Sequence, residues 1–324
     1  KINGLKLELD LKKGALETDI KSLKKAARQS IGPELEKRIQ IIIDTGLIEL
    51  NNDFKIYWNS FPIAKLITGN DYLNPNFELI IDETVEINQK QKLSDYIYKW
   101  LQIKINTVLK SLIDLKNIKE NNSSIKALAY QLYENNGVLK REQVSEYLKT
   151  LEQNERKILR DLGVKFGRYH VFLYQLIKPE AVSLRTLLWK NFHQKYYNLK
   201  PPTFGLNFLD DEDSKSKNFM LLCGFEKFDT FFVRIDILER LFMLIINSSN
   251  SKENKEIKMI PEMLNLLGCS KENFKKLLQK MGYKVFDKDE ETFFKYNPSK
   301  NIRKISKQKV SSENPFKILK NLNL

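Results

Sequence analysis

The sequence predicts a mainly helical α+β fold in which helical stretches are followed by small β-hairpins. Apolar residues from Leu93 to Leu112 recur at every third or fourth position, which is the period of an amphipathic helix. Elsewhere, short β-branched and aromatic runs are separated by Asn, Asp, Ser or Gly, which is typical of hairpins. Where short helices lead into such a hairpin, the order of elements predicts helical domains with winged-helix-like units.

The first segment, residues 1–82, is predicted to contain helices followed by a small antiparallel sheet. The opening INGLKLELD alternates leucine with charged residues, which indicates a strand, and residues 17–31 have helical periodicity. A second helix is predicted from Pro33, a residue suited to a first helical turn, to Thr45. Since the chain opens at Lys1 within the strand pattern, we expect the N-terminal part of a longer protein to precede it.

The second segment, residues 83–200, is predicted to be a helical domain that ends in a winged-helix-like hairpin. A long helix is expected from Lys90 to Leu115, and the polar run KENNSS ends it. Three short helices follow and lead into VKF-GRY-HVFL, which predicts a tight hairpin with Gly167 at its turn.

The third segment, residues 201–299, combines a linker with a second winged-helix-like domain, and residues 300–324 are predicted to be a flexible basic tail. The prolines and charges between Lys200 and Asn218 indicate the linker. GYKVF-DKDEE-TFFKY predicts the wing. The predicted helices are Arg234–Ile246, Pro261–Leu267 and Lys271–Met281, the last capped by Ser270 and in the recognition position.

Composition limits the class of protein. Lys and Arg number 55 against 41 Asp and Glu, a net charge of +14 over 324 residues, so nucleic acid heads the list of partners. A base-composition bias in the gene would give the same total, and only clustering of the charge separates the two readings. Cys223 and Cys269 are too far apart for a disulfide framework or a zinc site. With no secretory signal and no apolar run of roughly 20 residues, we expect a cytoplasmic protein without membrane contact.

Motifs for catalysis are missing from the sequence. It has no GxxxxGK[ST] phosphate loop, no GxGxxG, no HExxH, no paired CxxC and no GxSxG. The acidic run from Asp210 to Asp213 is interpreted as a solvated loop rather than a metal site. His170, in a strand pattern that would leave it partly exposed, is interpreted as a hydrogen-bonded structural residue rather than a general base. No catalytic and no metal-binding residue is therefore predicted.

Basic residues do cluster between Arg156 and Lys200. This stretch has ten basic residues against two acidic ones, interleaved with Phe, Tyr and Trp. Lysine and arginine gain affinity for nucleic acid by releasing phosphate counterions, and exposed aromatic rings stack unpaired bases. Most of the apolar and aromatic residues here are assigned to packing. The predicted nucleic-acid contacts are Lys165, Arg168, Tyr169, Lys178 and Arg185, with Lys271 and Lys275 on the C-terminal helix.

The segment GVKFGRYHVFLYQLIKPEAVSLRTLLW resembles a signature of the C-terminal region of superfamily 2 ATP-dependent RNA helicases. The group concerned is the alphaproteobacterial proteins related to the helicase of the mitochondrial RNA degradosome. The likeness extends through IKALAYQLYENNGVLKREQV and LEQNERKILRDLGV before it and PEMLNLLGCSKENFKKLLQKMGY after it. Upstream, INGLKLELD, KKAARQSIGPELEKRI and FPIAKLITGNDYLNP also match that plan, so the resemblance covers nearly the whole chain.

The resemblance implies an accessory region that guides single-stranded RNA around an ATP-driven motor. The family's ATPase motifs lie in two RecA-like domains that precede this region, so ATP and Mg²⁺ are implied for that motor and no cofactor for these residues. The implied partners are RNA, the motor domains of the same protein and an exoribonuclease. Two other functions stay open: a freestanding winged-helix DNA-binding regulator, and a scaffold that uses the long Lys90–Leu115 helix.

Overall fold

The structure, a computed structural model, describes residues 2–7, 17–119, 123–211, 216–249 and 256–297, with the backbone alone at 17–30 and 249. The predicted tail at 300–324 lies outside the described residues. About 51% of the described residues are helical and 24% are strand, and the sheets are small and antiparallel. The α+β fold is therefore confirmed, while the winged-helix character of its units stays a prediction. None of the described helices is long and apolar enough to cross a membrane.

Helices make up about half of the described residues. Their bounds are α1 Glu17–Thr45, α2 Ile87–Val108, α3 Lys110–Lys116, α4 Ser123–Glu134, α5 Ser145–Thr150, α6 Gln153–Asp161, α7 Pro179–Phe192, α8 Lys217–Leu222, α9 Ile235–Ser249, α10 Pro261–Leu267 and α11 Lys271–Lys280.

The strands form five small antiparallel sheets among the described residues, in the orders β1-β2, β3-β4-β5-β6, β7-β9-β8, β10-β12-β11 and β13-β15-β14. Their bounds are β1 Ile2–Asn3, β2 Lys6–Leu7, β3 Ile48–Leu50, β4 Lys55–Trp58, β5 Phe61–Asp71, β6 Asn74–Leu79, β7 Val138–Lys140, β8 Val164–Phe166, β9 His170–Leu173, β10 Phe208–Asp210, β11 Phe225–Phe228, β12 Phe231–Arg234, β13 Ile257–Lys258, β14 Tyr283–Lys288 and β15 Glu291–Tyr296.

The long helix predicted over Lys90–Leu115 is two helices. The chain leaves helical geometry at Leu109, whose φ is −105° and ψ is 22°, between α2 and α3. The apolar positions nevertheless stay buried on both sides of this break, from Leu93 through Leu112. Because the hydrophobic period continues across Leu109, the sequence pattern does not reveal the interruption.

The helix boundary predicted at Pro33 is also wrong, because α1 continues through that proline. A proline inside a helix removes one backbone hydrogen bond. Leu35, Ile39 and Ile42 keep one face of the helix buried beyond it. At the start of the chain, the predicted strand is a hairpin instead, since Gly4, with φ of 60°, turns β1 back onto β2.

Two compact units divide the chain, and neither 82 nor 200 is a boundary between them. One unit comprises 1–246 and 261–269, and the other comprises 247–260 and 270–324. One hydrophobic core cluster of the larger unit contains residues from Leu5 to Leu188. The helical face that was assigned to a separate second domain therefore shares its core with the first segment. The predicted linker also contributes a strand, β10, which pairs with β12.

In the smaller unit, the predicted cap and hairpin are confirmed. The Ser270 hydroxyl accepts a hydrogen bond from the amide of Asn273 at 3.2 Å, which satisfies one of the open amides at the start of α11. Phe274 on that helix is buried and meets Phe294 of β15 edge to face, 6.5 Å between ring centroids. β15 in turn pairs with β14, as the sequence predicts, and with β13.

We expect the Leu101→Ala substitution to lower the free energy of unfolding by about 2–5 kcal/mol, because Leu101 is fully buried on α2 and truncation leaves a cavity. Ile103→Ala, on the exposed side of the same helix at 67% exposure, is the control. It should change the free energy of unfolding by less than about 0.5 kcal/mol. Urea denaturation followed by circular dichroism measures both. Equal losses would contradict the assignment of the buried face.

Candidate nucleic-acid interface

The hairpin predicted from VKF-GRY-HVFL is confirmed and carries the candidate site. β8 pairs with β9 with Val164 opposite Leu173, and the chain turns at positions 167–169. A third strand, β7, pairs with the other edge of β9 and brings Lys140 opposite His170. Strand β7 was not predicted, because three residues after the Asn-Asn-Gly turn are too few to give an alternating pattern.

A carboxylate from a distant helix binds the turn of this hairpin. The side chain of Glu239, on α9, accepts hydrogen bonds from the backbone amides of Arg168 at 2.5 Å, Tyr169 at 2.8 Å and His170 at 3.0 Å. A Cβ at Gly167 would lie 2.3 Å from the Glu239 carboxyl carbon. The glycine is therefore needed for the close approach of that carboxylate, and it explains the first letter of GRYH.

Burial by itself would raise the pKa of Glu239. The His170 ring, whose Nδ1 lies 3.8 Å away, and the hydrogen bonds from the three amides outweigh burial and hold the pKa below its ordinary value. The carboxylate is therefore ionised at neutral pH, which makes its hydrogen bonds to the turn charge-assisted and stronger than neutral ones.

His170 is buried between two carboxylates, so the expectation that it is partly exposed is wrong. Its side chain is only 3% exposed, because β9 is the middle strand of its sheet and is covered on both faces. Its Nε2 lies 3.1 Å from Glu226 Oε2, and Lys140 Nζ lies 2.6 Å from the other oxygen of Glu226. Its Nδ1 is 3.8 Å from Glu239.

The two carboxylates set the charge of this imidazole. Burial lowers the pKa of His170, but the hydrogen bond with Glu226 and the charges of Glu226 and Glu239 outweigh burial and raise it above its ordinary value. Burial would raise the pKa of Glu226, but its hydrogen bonds with His170 and Lys140 outweigh burial and hold that pKa below its ordinary value. The two carboxylates thus favour the protonated form of the ring, and the buried His170 takes part in a structural cluster.

Lys165 and Arg168 lie where the sequence predicts them, exposed on the hairpin. Lys165 Nζ is 5.9 Å from the ring centroid of Tyr174, and the guanidinium of Arg168 is 5.7 Å from that of Phe242 on α9. Tyr169 is half-buried and meets the edge of Phe242 at 5.7 Å. Phe242 was missed, because nothing in the local pattern of α9 indicates that the helix lies against a hairpin turn some 70 residues earlier.

A third exposed cation, Arg160 at the end of α6, has its guanidinium 5.7 Å from the ring of Phe166. Each of these three cations is therefore positioned by an aromatic ring near the hairpin, an arrangement that restrains a long side chain without neutralising its charge. We define Arg160, Lys165 and Arg168, with the exposed ring of Tyr174, as the hairpin surface.

The structure corrects the prediction for Arg185, which is fully buried on α7. Its guanidinium donates to the backbone carbonyls of Asn136 at 2.6 Å, Leu176 at 3.0 Å and Leu222 at 2.5 Å. Burial lowers the pKa of Arg185 to about 10, which still leaves it protonated at neutral pH. Its donors serve internal carbonyls, so it does not reach a phosphate.

The three remaining predicted contacts do not belong to the hairpin surface. Lys178 is exposed just before α7, but the cleft beside it is lined by three carboxylates and only one other lysine, Lys110, which pairs with Asp114. The other two carboxylates, of Asp161 and Glu180, oppose an anionic ligand. In the smaller unit, Lys271 is exposed at the start of α11. Lys275 pairs with both carboxylate oxygens of Asp287, a residue of the β14 strand, at 2.8 and 2.9 Å.

We expect Gly167→Ala to displace the Glu239 carboxylate, because the new methyl group occupies its place. The amides of residues 168–170 should then exchange with solvent faster, and the free energy of unfolding should fall by about 1–3 kcal/mol through the lost hydrogen bonds. Hydrogen exchange followed by NMR measures the first effect and urea denaturation the second. Gly32→Ala is the matched control, since a Cβ there meets nothing within 4 Å. Unchanged exchange at the turn in Gly167→Ala would refute the anchoring role of Glu239.

The stability that His170 contributes should depend on pH. Since the folded-state pKa of His170 is raised above 6.5, its contribution is complete below that pH and is lost as pH rises through the folded-state pKa. The pKa values of Glu226 and Glu239 are held below 4.5. These two residues therefore lose their contributions to stability only as pH falls through the lowered values. The difference in free energy of unfolding between wild type and His170→Gln should therefore be largest between about pH 4.5 and 6.5 and shrink at higher pH.

Urea denaturation at a series of pH values measures this difference. His193→Gln gives a control of opposite sign. Burial, followed by the charge of Lys195, lowers the pKa of His193, so its contribution should be lost as pH falls. A His170→Gln difference that stays constant from pH 5 to 9 would be inconsistent with a protonated His170.

Comparison of the chain with protein-family models, with curated proteins and with solved structures found no match in any of the three. The helicase family named from the sequence resemblance therefore remains a prediction.

Proposed function

We propose that the chain is the C-terminal accessory, RNA-binding region of an ATP-dependent RNA helicase. It would guide single-stranded RNA around a motor that lies outside these 324 residues. In this proposal ATP and Mg²⁺ bind to the motor, hydrolysis takes place there, and the complete protein is cytoplasmic. The support comes from the sequence resemblance and from the hairpin surface.

One observation carries the proposal: Arg160, Lys165 and Arg168 are exposed around one hairpin, and an aromatic ring lies close to each of them. Cations of this kind bind the phosphate backbone without regard to sequence, and an exposed ring such as that of Tyr174 stacks on unpaired bases. Both are properties that a guide for a moving strand requires, because the strand must be held in every register.

The surface charge of the basic stretch is smaller than the sequence count suggests. Arg185 and Lys190 are buried, and Lys190 donates to the carbonyl of Leu199 at 3.0 Å. Eight basic residues of that stretch remain exposed or half-exposed against two acidic ones. This is still a clear excess of positive charge, and three of the eight cations belong to the hairpin surface.

Rigidity of the hairpin also favours binding. The Glu239 carboxylate holds the turn through three backbone amides, so the cations start from a fixed framework. A pre-ordered surface loses less conformational entropy when a ligand binds than a mobile loop does.

A second candidate function is a freestanding winged-helix DNA-binding regulator. The observation that favours it is the smaller unit, in which α11 begins at a capped terminus with Lys271 exposed and leads into the β14–β15 hairpin. A regulator of this type places such a helix in the major groove and reads base edges there. The ion pair of Lys275 with Asp287 occupies one of the two predicted helix contacts.

The isolated chain should bind single-stranded RNA with little dependence on sequence, and salt should weaken the binding. We expect Lys165→Ala combined with Arg168→Ala to weaken binding and to reduce the slope of log K against log salt by about 1 for each phosphate contact removed. Fluorescence anisotropy with a labelled RNA oligonucleotide at several salt concentrations measures both quantities.

Lys92→Ala combined with Lys99→Ala removes the same charge from the exposed side of α2 and serves as the control. An equal loss in the control would mean that net charge alone binds RNA and that the hairpin has no special part. Absence of binding at low salt would refute the proposal. Selection from random DNA duplexes separates the two candidate functions, since a regulator enriches a defined sequence and a helicase accessory region does not.

A further inference from the structure

A cleft of about 680 Å³ lies in the larger unit, away from the residues that define the hairpin surface. Its walls come from the end of α3, one side of α4, the turn between β5 and β6, and the last turn of α7 with the residue that follows it. We call it the Tyr130 cleft, after the exposed tyrosine on α4. Its volume is within the range of pockets that hold small ligands of nucleotide size.

Aromatic side chains dominate the walls of the Tyr130 cleft. Tyr130 is 61% exposed, one turn before Tyr133 on the same side of α4. On the α7 wall, Trp189 stacks on Tyr196 with 4.8 Å between ring centroids and 19° between planes, and His193 lies 4.6 Å from the same indole. The opposite side of α4 is buried in the core, so the helix holds the two tyrosines in a fixed position.

The charges around the cleft are arranged to leave one cation available. Lys116 Nζ and the hydroxyl of Tyr133 both bind Asp71 Oδ2, each at 3.1 Å. Burial would raise the pKa of Asp71, but these contacts outweigh it and keep the carboxylate ionised and neutralised by Lys116. Lys126 is exposed four residues before Tyr130 and has no ion-pair partner among the described residues.

One polar group suited to a base edge also lines the cleft. The carboxylate of Glu134 is exposed and can accept hydrogen bonds from exocyclic amino groups. The hydroxyl of Tyr72, another lining residue, is buried and is therefore not accessible to a base.

We propose that the Tyr130 cleft receives an unpaired nucleobase of a bound single strand. The base stacks on the exposed ring of Tyr130, with Tyr133 behind it, and Lys126 contacts the adjoining phosphate. Stacking on aromatic faces is tolerant of sequence, because every base has such a face. This inference rests on the proposed RNA-binding function and identifies a second contact point for the strand, separate from the hairpin surface.

The test uses a short RNA oligonucleotide that carries one 2-aminopurine, a base whose fluorescence is quenched when it stacks. On binding to the full chain, we expect quenching, and we expect Tyr130→Ala to abolish it and to weaken binding by about 5- to 150-fold. Tyr130→Phe keeps the ring and should behave like wild type. Lys126→Ala should weaken binding and lower the salt slope with less effect on quenching. Tyr98→Ala, at a tyrosine 55% exposed on α2, is the matched control and should change neither quantity.

The outcomes separate this inference from the proposed function. If wild type binds the oligonucleotide but Tyr130→Ala leaves both quenching and affinity unchanged, the cleft does not hold a base, and RNA binding by the hairpin surface still stands. If wild type fails to bind at low salt, both proposals fall. If quenching persists in the Lys165→Ala, Arg168→Ala double variant once enough protein is added to saturate the oligonucleotide, the base is stacked away from the hairpin, as the cleft requires.

Discussion

A single buried guanidinium connects the parts of the larger unit on which the hairpin surface depends. Arg185 donates to carbonyls that belong to three separate segments: the turn before β7, the residues after β9 and the end of α8. Removing a cation from water costs several kcal/mol unless hydrogen bonds compensate. The hydrogen bonds that compensate for this cost all form only when the three segments are in place. The position of the hairpin is therefore coupled to the positions of α7 and α8.

Around this cation, a second set of buried charges joins the same sheet to later segments. Glu226 from β11 and Glu239 from α9 enclose His170, and Lys140 completes the pairing. The hairpin is thereby fixed to two elements that lie more than 50 residues away along the chain. Buried charge pairs contribute little net stability compared with apolar packing, but an unpaired member is strongly unfavourable. The arrangement therefore favours one register of the hairpin over its alternatives.

Local patterns predicted the features whose cause is local. The hairpin turn at Gly167, the cap at Ser270 and the buried stripe of α2 all follow from short-range chemistry that can be read from neighbouring residues. The break at Leu109 could not be predicted from the sequence, because the apolar stripe of α2 continues across it into α3. The sequence also could not indicate that the first 82 residues and the following helices share one core, since nothing local records which apolar faces meet.

The candidate site was predicted in part. Lys165 and Arg168 are exposed as expected, because charged residues near a hairpin turn are usually solvated. Arg185 was misplaced, although its surroundings, Leu184, Leu187 and Leu188, could have suggested a helix that is apolar on most sides. Glu239 and Phe242 could not have been found, since their part in the site depends on the tertiary position of α9. The aromatic walls of the Tyr130 cleft likewise come from four segments that are distant in sequence.

The binding of Glu239 to backbone amides separates two tasks that a hairpin usually combines. The anchor recognises peptide N–H groups, which every residue except proline supplies, so it places no demand on the identity of the side chain at position 168. Position 167, by contrast, admits only glycine without displacing the carboxylate. The exposed side chain at position 168 can therefore be substituted, and the surface chemistry of the turn changed, while the hydrogen bonds that anchor the backbone to Glu239 stay the same.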